Sequence, residues 1–316
     1  MTAHPFSATS DLRERLQDPD PEVRRVAVME LPYSDDDDYI ELSIAALADA
    51  DAGVRADAAK ALEGVEEAEV VSALVPMLKD QDAHVRQAVA DTLAELKESR
   101  WGSLLLPMVT DSSTEVQAAA LRALRALRVP ESFALAMSAA QSTDAAVRRE
   151  AAGVLAYLKN DAALGTLTRL AIEDPSTEVR RVAVGGLGFS NNVDVLPALM
   201  RALGDSDWLV REEAALTIGK LKLHGGIQAL IEVLSDAYWQ VRIAAARSLG
   251  KLKAVQALEV LCAALSHEVS NLRKEAAVAL GEIGDNRAIP ALERAANDPD
   301  PDVRKLSRLA LSRLAA

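Results

Sequence analysis

Few residues of this 316-residue chain are of the types that carry catalytic or metal chemistry. Its histidines are His4, His84, His224 and His267, and its one cysteine is Cys262. A catalytic metal site needs several ligands at fixed spacing, and the chain has a single His-Glu pair, His267 with the glutamate after it. No Gly-rich phosphate loop follows a strand pattern. The sequence therefore predicts no catalytic residue, no metal and no cofactor, and it favours a non-catalytic protein.

Some of these groups have structural interpretations instead. Cys262 falls in an apolar column that recurs along the chain, which predicts a buried, inert thiol. His267 is predicted to be a surface residue at a turn. The run SDDDD at 34–38 lacks the Gly and Glu framework of a calcium loop, so it is predicted to be solvated.

Bulky aromatic side chains are also scarce, and two of them are adjacent. Aromatic residues make up 3% of the chain, which has only three tryptophans. Tyr238 and Trp239 stand side by side, and Trp208 lies 31 residues before Trp239. Because Trp and Tyr are enriched among the residues that dominate binding energy, this concentration indicates an interaction surface.

The tryptophans belong to a repeat. The segments DPDPEVRRVAV (18–28), DSDWLVREEAA (205–215) and DAYWQVRIAAA (236–246) are three of ten copies. Each copy has an apolar reference residue, position 0. Successive reference residues are 31 apart, except for one step of 32 between Val147 and Val179. They are Val23, Val54, Val85, Val116, Val147, Val179, Val210, Val241, Leu272 and Val303.

The elements that position these residues are helices. Apolar residues recur at +4, +5, +8 and +11 from the reference residue, which is one face of a helix; after Val241 they are Ala245, Ala246, Leu249 and Leu252. Asp or Ser usually stands at −3, and Pro follows at −2 in two copies, which is typical of an N-cap and a first helical residue. The segment before, such as VLPALMRALGD (195–205), predicts a shorter helix.

A 31-residue helical pair is too small to bury a core alone, so the copies must stack on one another. The predicted fold is all-α, a right-handed α-solenoid of about ten helical hairpins. Residues 1–316 are predicted to form one such array.

The copies resemble HEAT repeats. The segment LRKEAAVALGEIGDNRAIPAL (272–292) carries the resemblance, which covers essentially the whole chain and is closest to the short bacterial type of phycobiliprotein lyases. It implies that the second helix of each pair lies on the concave side, where partners usually bind. Such arrays serve as scaffolds, adaptors and cofactor lyases.

The resemblance also implies a ladder between copies. Its members are an Asp and an Arg six residues apart, as in Asp18 and Arg24. Gln117, Ser142 and His267 depart from this pattern, so the ladder is not predicted at those places.

Positions −2, +2 and +6 form one ridge that points away from the packed face. Most copies carry small or charged residues there, and two adjacent copies do not. The predicted partner-binding residues are Trp208, Leu209, Leu216, Tyr238, Trp239 and Ile243. The two tryptophans occupy equivalent positions and are expected about one helix spacing apart. The alternative is that they pack over each other and fill a groove between copies.

Tyr238 replaces the N-cap Asp. Such a change typically costs about 1 kcal/mol unless Asp236 takes over the cap. A residue that breaks the N-cap preference without adding stability elsewhere indicates a functional role.

A second departure is the glycine at +6 in two copies, Gly153 and Gly185. One interpretation is a depression in which arginines hold a carboxylate or phosphate. The favoured interpretation is local crowding that requires small residues. The weaker binding candidates beside these glycines are Arg149, Arg181, Tyr157 and Phe189.

Charge is unevenly distributed. The net charge is −13, and residues 1–115 hold 25 acidic against 10 basic side chains, whereas residues 116–316 hold 23 against 25. Excess acidity opposes nucleic-acid binding and predicts a partner with a basic surface facing residues 1–115, or else simple solubility. No apolar stretch spans a bilayer and no secretory signal is visible, so we expect no membrane contact and a cytoplasmic location.

Together these features predict a protein-binding scaffold, adaptor, assembly factor or chaperone. The alternative is a tetrapyrrole lyase-like protein in which Arg149 and Arg181 grip propionates while Tyr157 and Phe189 flank the ring. Self-association through the tryptophans is left open.

Overall fold

A computed structural model describes residues 8–34, 36–190 and 192–315. Every regular element in these ranges is a helix, and the ranges contain no strand. The chain divides into two compact parts, residues 1–158 (unit 1) and 159–316 (unit 2). Each unit contains five helical pairs, which confirms the predicted ten pairs and the all-α class.

In each pair a shorter first helix precedes a second helix that carries the reference residue. The first helices of unit 1 are α1 (Ala8–Arg15), α3 (Tyr39–Ala46), α5 (Ala68–Met77), α7 (Gly102–Leu105) and α9 (Ser132–Ala139). Its second helices are α2 (Pro21–Glu30), α4 (Ala52–Ala61), α6 (Ala83–Ala94), α8 (Thr114–Leu127) and α10 (Ala145–Leu158).

Unit 2 repeats the arrangement. Its first helices are α11 (Leu164–Glu173), α13 (Leu196–Ala202), α15 (Ile227–Val233), α17 (Leu258–Ala264) and α19 (Ile289–Ala295). Its second helices are α12 (Thr177–Leu187), α14 (Trp208–Lys220), α16 (Trp239–Lys251), α18 (Ser270–Ile283) and α20 (Pro301–Leu314). The ten second helices all begin at position −2, as predicted.

Local capping explains six of these starts, while α8, α12, α16 and α18 have no capping hydrogen bond from the N-cap side chain. Asp51 accepts a hydrogen bond from the backbone N–H of Val54 at 3.1 Å, and Asp82 accepts from His84 at 2.8 Å. Asp207 does the same for Leu209 at 2.9 Å. The first N–H groups of a helix have no partner inside it, so each cap satisfies a donor that would otherwise lack one.

The predicted apolar face forms the core. In α16, Val241, Ala245, Ala246 and Leu249 are all fully buried. Alanine at +4 and at many +5 positions keeps this face thin, so the second helices of neighbouring pairs approach closely.

Glycines and a hydroxyl mark the closest approach in unit 2. A Cβ on Gly219 of α14 would lie 2.8 Å from the Cα of Ser248 on α16. A Cβ on Gly250 of α16 would lie 2.8 Å from the Cα of Ala279 on α18. The Ser248 hydroxyl donates to the carbonyl oxygen of Ala215 at 2.7 Å. Only small residues fit this contact between helices.

Arginines at +1 link consecutive pairs. Arg211 Nη1 donates to the Asp205 carbonyl of its own pair at 2.8 Å, while Nε and Nη2 grip the Asp236 carboxylate of the next pair at 2.7 and 3.0 Å. This bidentate hydrogen bonding lowers the pKa of Asp236. The expected ladder is therefore present, with its carboxylate supplied by the following pair. The same contact joins Arg24 to Asp49, Arg55 to Asp80, Arg180 to Asp205 and Arg273 to Asp298.

The ladder differs at Arg86, Gln117 and His267. Arg86 Nε donates to Glu115 at 2.9 Å instead of to Asp111, whose carboxylate binds Lys79. Gln117 keeps only the bond to its own pair, from Nε2 to the Asp111 carbonyl at 2.6 Å. His267 stands where Asp is expected, with Nε2 2.8 Å from Arg242 Nη1 and Nδ1 accepting from Val269 N at 3.0 Å. His267 is thus a half-buried ladder residue, which corrects the prediction of a simple surface residue.

The acidic run between the first two pairs is partly structural. Arg13 forms a fork with Asp36 at 2.8 and 2.9 Å and reaches Asp38 at 2.6 Å. Asp36 is buried, and its hydrogen bonds with Arg13 lower its pKa. The prediction that the run is solvated is therefore wrong for Asp36, because Arg13 of α1 satisfies its charge. Asp35 lies outside the described residues.

Candidate functional site

The six predicted partner-binding residues, Trp208, Leu209, Leu216, Tyr238, Trp239 and Ile243, lie on α14, on α16 and at the N-cap of α16. We call them the docking ridge. Trp208 is the first residue of α14 and Trp239 the first residue of α16, so the helix starts determine where both indoles stand. All six belong to unit 2.

The Trp208 ring contacts an aromatic ring of the next helical pair. Trp208 stacks on Tyr238, with ring centroids 5.5 Å apart and planes 11° from parallel. Arg211 lies over the same tyrosine at 5.7 Å from its centroid. Tyr238 is the residue before α16, so this stack joins the start of α14 to the start of α16.

The ridge keeps bulky apolar groups in contact with solvent. Tyr238 is 46% exposed and Trp239 is 40% exposed. Leu209, Leu216 and Ile243 are half-buried. Leaving about 100 Å2 of an indole in water forgoes roughly 2 kcal/mol of hydrophobic stabilisation, which contact with a partner would supply.

The third tryptophan shows how a tryptophan that serves internal packing looks in this chain. Trp101 in unit 1 is 6% exposed, and its Nε1–H donates to Glu66 at 3.0 Å. A tryptophan that serves packing in this chain is thus enclosed and hydrogen-bonded. Trp239 has neither property among the described residues.

The N-cap of α16 remains incomplete. The Tyr238 side chain makes no capping hydrogen bond. Asp236 accepts from the Tyr238 backbone N–H at 2.9 Å, but Asp205 makes the equivalent bond to Asp207 at 2.9 Å beside a normal cap. Asp236 therefore does not replace the missing cap, which corrects the expectation that it could.

Two carboxylates lie next to the ridge, and the sequence patterns did not single them out. Glu212 and Glu213 are half-buried and make no hydrogen bond or ion pair with the described residues. Burial raises the pKa of both. A Cβ on Gly185 would meet Glu213 Oε1 at 2.9 Å, so Glu213 lies against the backbone of α12.

Acids at the repeat position of Glu213 are otherwise paired. Asp57 binds Arg25 at 2.9 Å, Glu150 binds Arg149 at 2.7 Å, and Glu275 binds Arg247 at 2.8 Å. Glu213 lacks such a partner for two reasons. The preceding pair has Gly185 where Arg247 stands in the case of Glu275, and its Arg181, at the position of Arg25, binds Glu178 instead. Comparing these columns of the repeat would have identified it from sequence.

The weaker candidates are engaged inside their own units. In unit 1, Arg149 binds Glu150 beside an open cavity of about 310 Å3, and Tyr157 lies 5.6 Å from the Arg128 guanidinium. In unit 2, Arg181 binds Glu178 at 3.0 Å while its buried Nε has no hydrogen-bond partner.

Phe189, also in unit 2, lies beneath the ammonium group of Lys220 at 3.9 Å.

The two glycines at +6 lie close to neighbouring side chains. A Cβ on Gly153 would lie 2.9 Å from the Cδ of Arg125, and a Cβ on Gly185 would also meet a side chain. Both glycines thus lie beneath a neighbouring side chain, which agrees with the crowding interpretation.

Metal ligands, the cysteine and membrane spans were the remaining features of interest in the described part of the chain. No group of three or more His, Cys, Asp or Glu side chains there could hold a metal ion. Cys262 is half-buried rather than fully buried, and burial raises the pKa of its thiol. None of the described helices is both long and apolar enough to cross a bilayer.

Comparison with known proteins identifies the family. A family model for HEAT repeats matches residues 9–94, 40–111, 102–175, 166–236 and 227–312. These ranges cover nearly all of the sequence, so the chain belongs to the HEAT-repeat family. The matches support HEAT repeats in general and give no support to the narrower resemblance to phycobiliprotein lyases. Among curated proteins, no sequence matches the chain.

Solved structures share the fold. YibA of E. coli is 21% identical with a TM-score of 0.54, over 95% of this chain and 99% of YibA. Kap95p bound to RanGDP is 17% identical with a TM-score of 0.61, over 98% of this chain and 48% of Kap95p. The Kap95 complex with Nup1 is 15% identical with a TM-score of 0.63, over 96% and 50%. The chain thus spans about half the length of Kap95p.

Proposed function

We propose that this protein is a non-catalytic scaffold, adaptor or assembly factor that binds another protein through the docking ridge. The observation that carries the proposal is the exposure of Tyr238 and Trp239, at 46% and 40%, beside the stacked Trp208. Aromatic groups held rigidly by helix starts and left partly in water are typical of binding hot spots. The fold supports the proposal, because Kap95p, which shares it over half its length, is seen with RanGDP and with Nup1.

Two variants test the ridge. Trp239→Ala removes the most exposed indole and disturbs little of the internal packing, so we expect nearly unchanged thermal stability and partner capture weakened by about tenfold or more. Val255→Ala is the matched control, since Val255 is 44% exposed in unit 2 outside the ridge.

The measurement has two stages. Proteins captured from native lysate by the wild type and lost with Trp239→Ala are identified, and one is then titrated by calorimetry. We expect a negative heat-capacity change that shrinks in Trp239→Ala. Equal binding by wild type and Trp239→Ala, or a large loss of melting temperature with unaltered binding, would refute the ridge. Capture of this chain itself would identify the partner as a second copy.

We also propose a partner with a basic surface for residues 1–115. In unit 1 an open cavity of about 710 Å3 is lined by four acidic side chains and two basic ones, which are Asp57, Glu63, Glu66, Glu95, Lys60 and Lys97. Tyr33 lines the same cavity and is 90% exposed, so it can offer its ring face to a lysine or arginine of the partner.

Protein binding is better supported than tetrapyrrole handling. In the tetrapyrrole alternative, propionates would have to displace Glu150 from Arg149 and Glu178 from Arg181. Phe189 would have to release Lys220 before it could flank a ring. An absorbance shift on adding bilin or haem to the purified chain would favour the alternative.

A further inference from the structure

Four lysines of unit 2 surround one open cavity of about 600 Å3. They are Lys220, Lys222, Lys251 and Lys253. They come from the same tetrapeptide, Gly-Lys-Leu-Lys, at 219–222 and 250–253, so equivalent ends of two neighbouring second helices contribute two lysines each. The sequence patterns that identified the docking ridge did not reveal this cluster.

The helix ends explain why the lysines converge. Lys220 is the last residue of α14 and Lys251 the last residue of α16. Lys222 and Lys253 adopt left-handed backbone conformations, with φ of 53° and 50°, which turn the chain sharply after each helix. Gly219 and Gly250 also line the cavity, and because they lack side chains its surface stays open between the lysines.

These ammonium groups are not engaged in ion pairs. None of the four forms an ion pair with the part of the chain that the structure describes. Lys220 lies over a ring face, that of Phe189, at 3.9 Å. One carboxylate, Glu282, lines the same cavity. Several arginines of unit 2 are paired, as Arg211 is with Asp236, whereas four unpaired lysines meet here in a chain of net charge −13.

The cavity lies on the same helix ridge as the aromatic residues. Trp208, Leu216 and Lys220 belong to one i, i+4 series on α14, and Trp239, Ile243 and Lys251 belong to the equivalent series on α16. Twelve residues separate each tryptophan from its lysine, which is about 18 Å along a helix.

We propose that this cavity binds an acidic segment of the partner protein, whose carboxylates meet the four lysines. This proposal rests on the proposed function. Because the cavity and Trp239 lie on the same helix ridge, we take the acidic segment to belong to the partner that covers Trp239. An extended segment presents every second side chain on one face, roughly 7 Å apart, which is close to the spacing of about 8 to 10 Å between neighbouring helices. Acidic residues at alternate positions therefore fit the two lysine pairs.

A short acidic peptide fits better than a nucleic acid. A long polyanion would meet the excess of acids in unit 1, which has 28 acidic and 15 basic side chains, whereas unit 2 has 20 of each. No aromatic side chain lines the cavity, so bases would find no ring there to stack on.

The test uses the full chain and a fluorescein-labelled peptide of ten glutamates, with binding followed by fluorescence anisotropy at low salt. The double variant K251Q/K253Q removes one lysine pair, and we expect it to bind about tenfold more weakly. The matched control is K305Q/R308Q, which removes two exposed positive charges from α20, away from the cavity. We expect the control to bind within about twofold of the wild type, as distant surface charges are screened.

Three results would overturn the proposal: no binding of the peptide by the wild type, equal binding by K251Q/K253Q, or tighter lysine-dependent binding of a ten-nucleotide single strand. The glutamate peptide has no bulky apolar side chain to contact Trp239, so Trp239→Ala should leave its binding unchanged. Failure of the lysine cavity is therefore separable from failure of the docking ridge, which is read from partner binding by Trp239→Ala.

Discussion

At the scale of single residues, the repeat distinguishes charged side chains that link neighbouring helical pairs from charged side chains that have no ion-pair partner. Arg211 and Asp236 satisfy each other across a pair boundary, and Arg273 and Asp298 do the same two boundaries later. Glu213 has no such partner, although acids at its position elsewhere do. Because ten copies share one geometry, an unpaired member of a column is a departure with a local cause. For Glu213 that cause is glycine at position 185 together with the engagement of Arg181 by Glu178.

The ladder contact between Arg242 and His267 contains a hydrogen-bonding mismatch that a single substitution should repair. In His267, Nε2 faces a guanidinium donor and Nδ1 faces a backbone N–H donor. A neutral imidazole has one acceptor nitrogen, so one of these donors is left unsatisfied. We expect His267→Asp to raise the free energy of unfolding by about 1 kcal/mol by restoring a bidentate ion pair with Arg242. Urea denaturation measures the change.

The reciprocal variant is the control. Asp298→His places the same mismatch against Arg273, whose fork now binds Asp298 at 2.8 and 2.9 Å. It should lower stability by a similar amount. A destabilising His267→Asp would show that the ladder geometry at Arg242 differs from that at its neighbours.

At the scale of helices, stability depends on how closely consecutive second helices approach. Gly250 of α16 lies against the backbone of α18, where a Cβ would come 2.8 Å from the Cα of Ala279. Backbone atoms cannot move aside as a flexible side chain can, so the two helices would have to separate. The same glycine keeps the lysine cavity open, and one packing constraint therefore serves both structure and the proposed binding.

Gly250→Ala should destabilise the protein by about 1 to 2 kcal/mol, because overpacking outweighs the gain of roughly 0.5 to 1 kcal/mol in helix propensity. Gly165→Ala is the matched control, since nothing lies within 4 Å of a Cβ added there on α11. It should stabilise by about 0.5 kcal/mol. Urea midpoints that move in the same direction for both variants would contradict a close contact at Gly250.

At the scale of the whole molecule, the two units differ in charge more than in fold. Both contain five helical pairs, yet unit 1 carries the entire net charge of −13 and unit 2 is neutral. Like charges on a compact unit repel, and salt screens exposed repulsion more than it weakens half-buried ion pairs such as Arg55–Asp80.

We therefore expect added salt to stabilise unit 1 more than unit 2. Raising ionic strength from about 0.01 to 0.15 M shortens the Debye length from about 30 to 8 Å. Amide hydrogen exchange in α4 and α6 should slow by a few-fold, while α14 and α16, measured in the same sample, should change little. Equal slowing in both units would mean that the acidic excess does not strain unit 1.

Sequence patterns alone determined the ten helical pairs, the start of every second helix, the buried face and which residues are proposed as the docking ridge. These features depend on local rules, since an N-cap and a 3.6-residue period act within one helix and the repeat reports them ten times. Contacts between helices required the structure. The stacking of Trp208 on Tyr238, the Asp236 partner of Arg211 and the lysine cavity all join residues from neighbouring pairs. Such contacts depend on the offset and spacing of packed helices, which no single helix encodes.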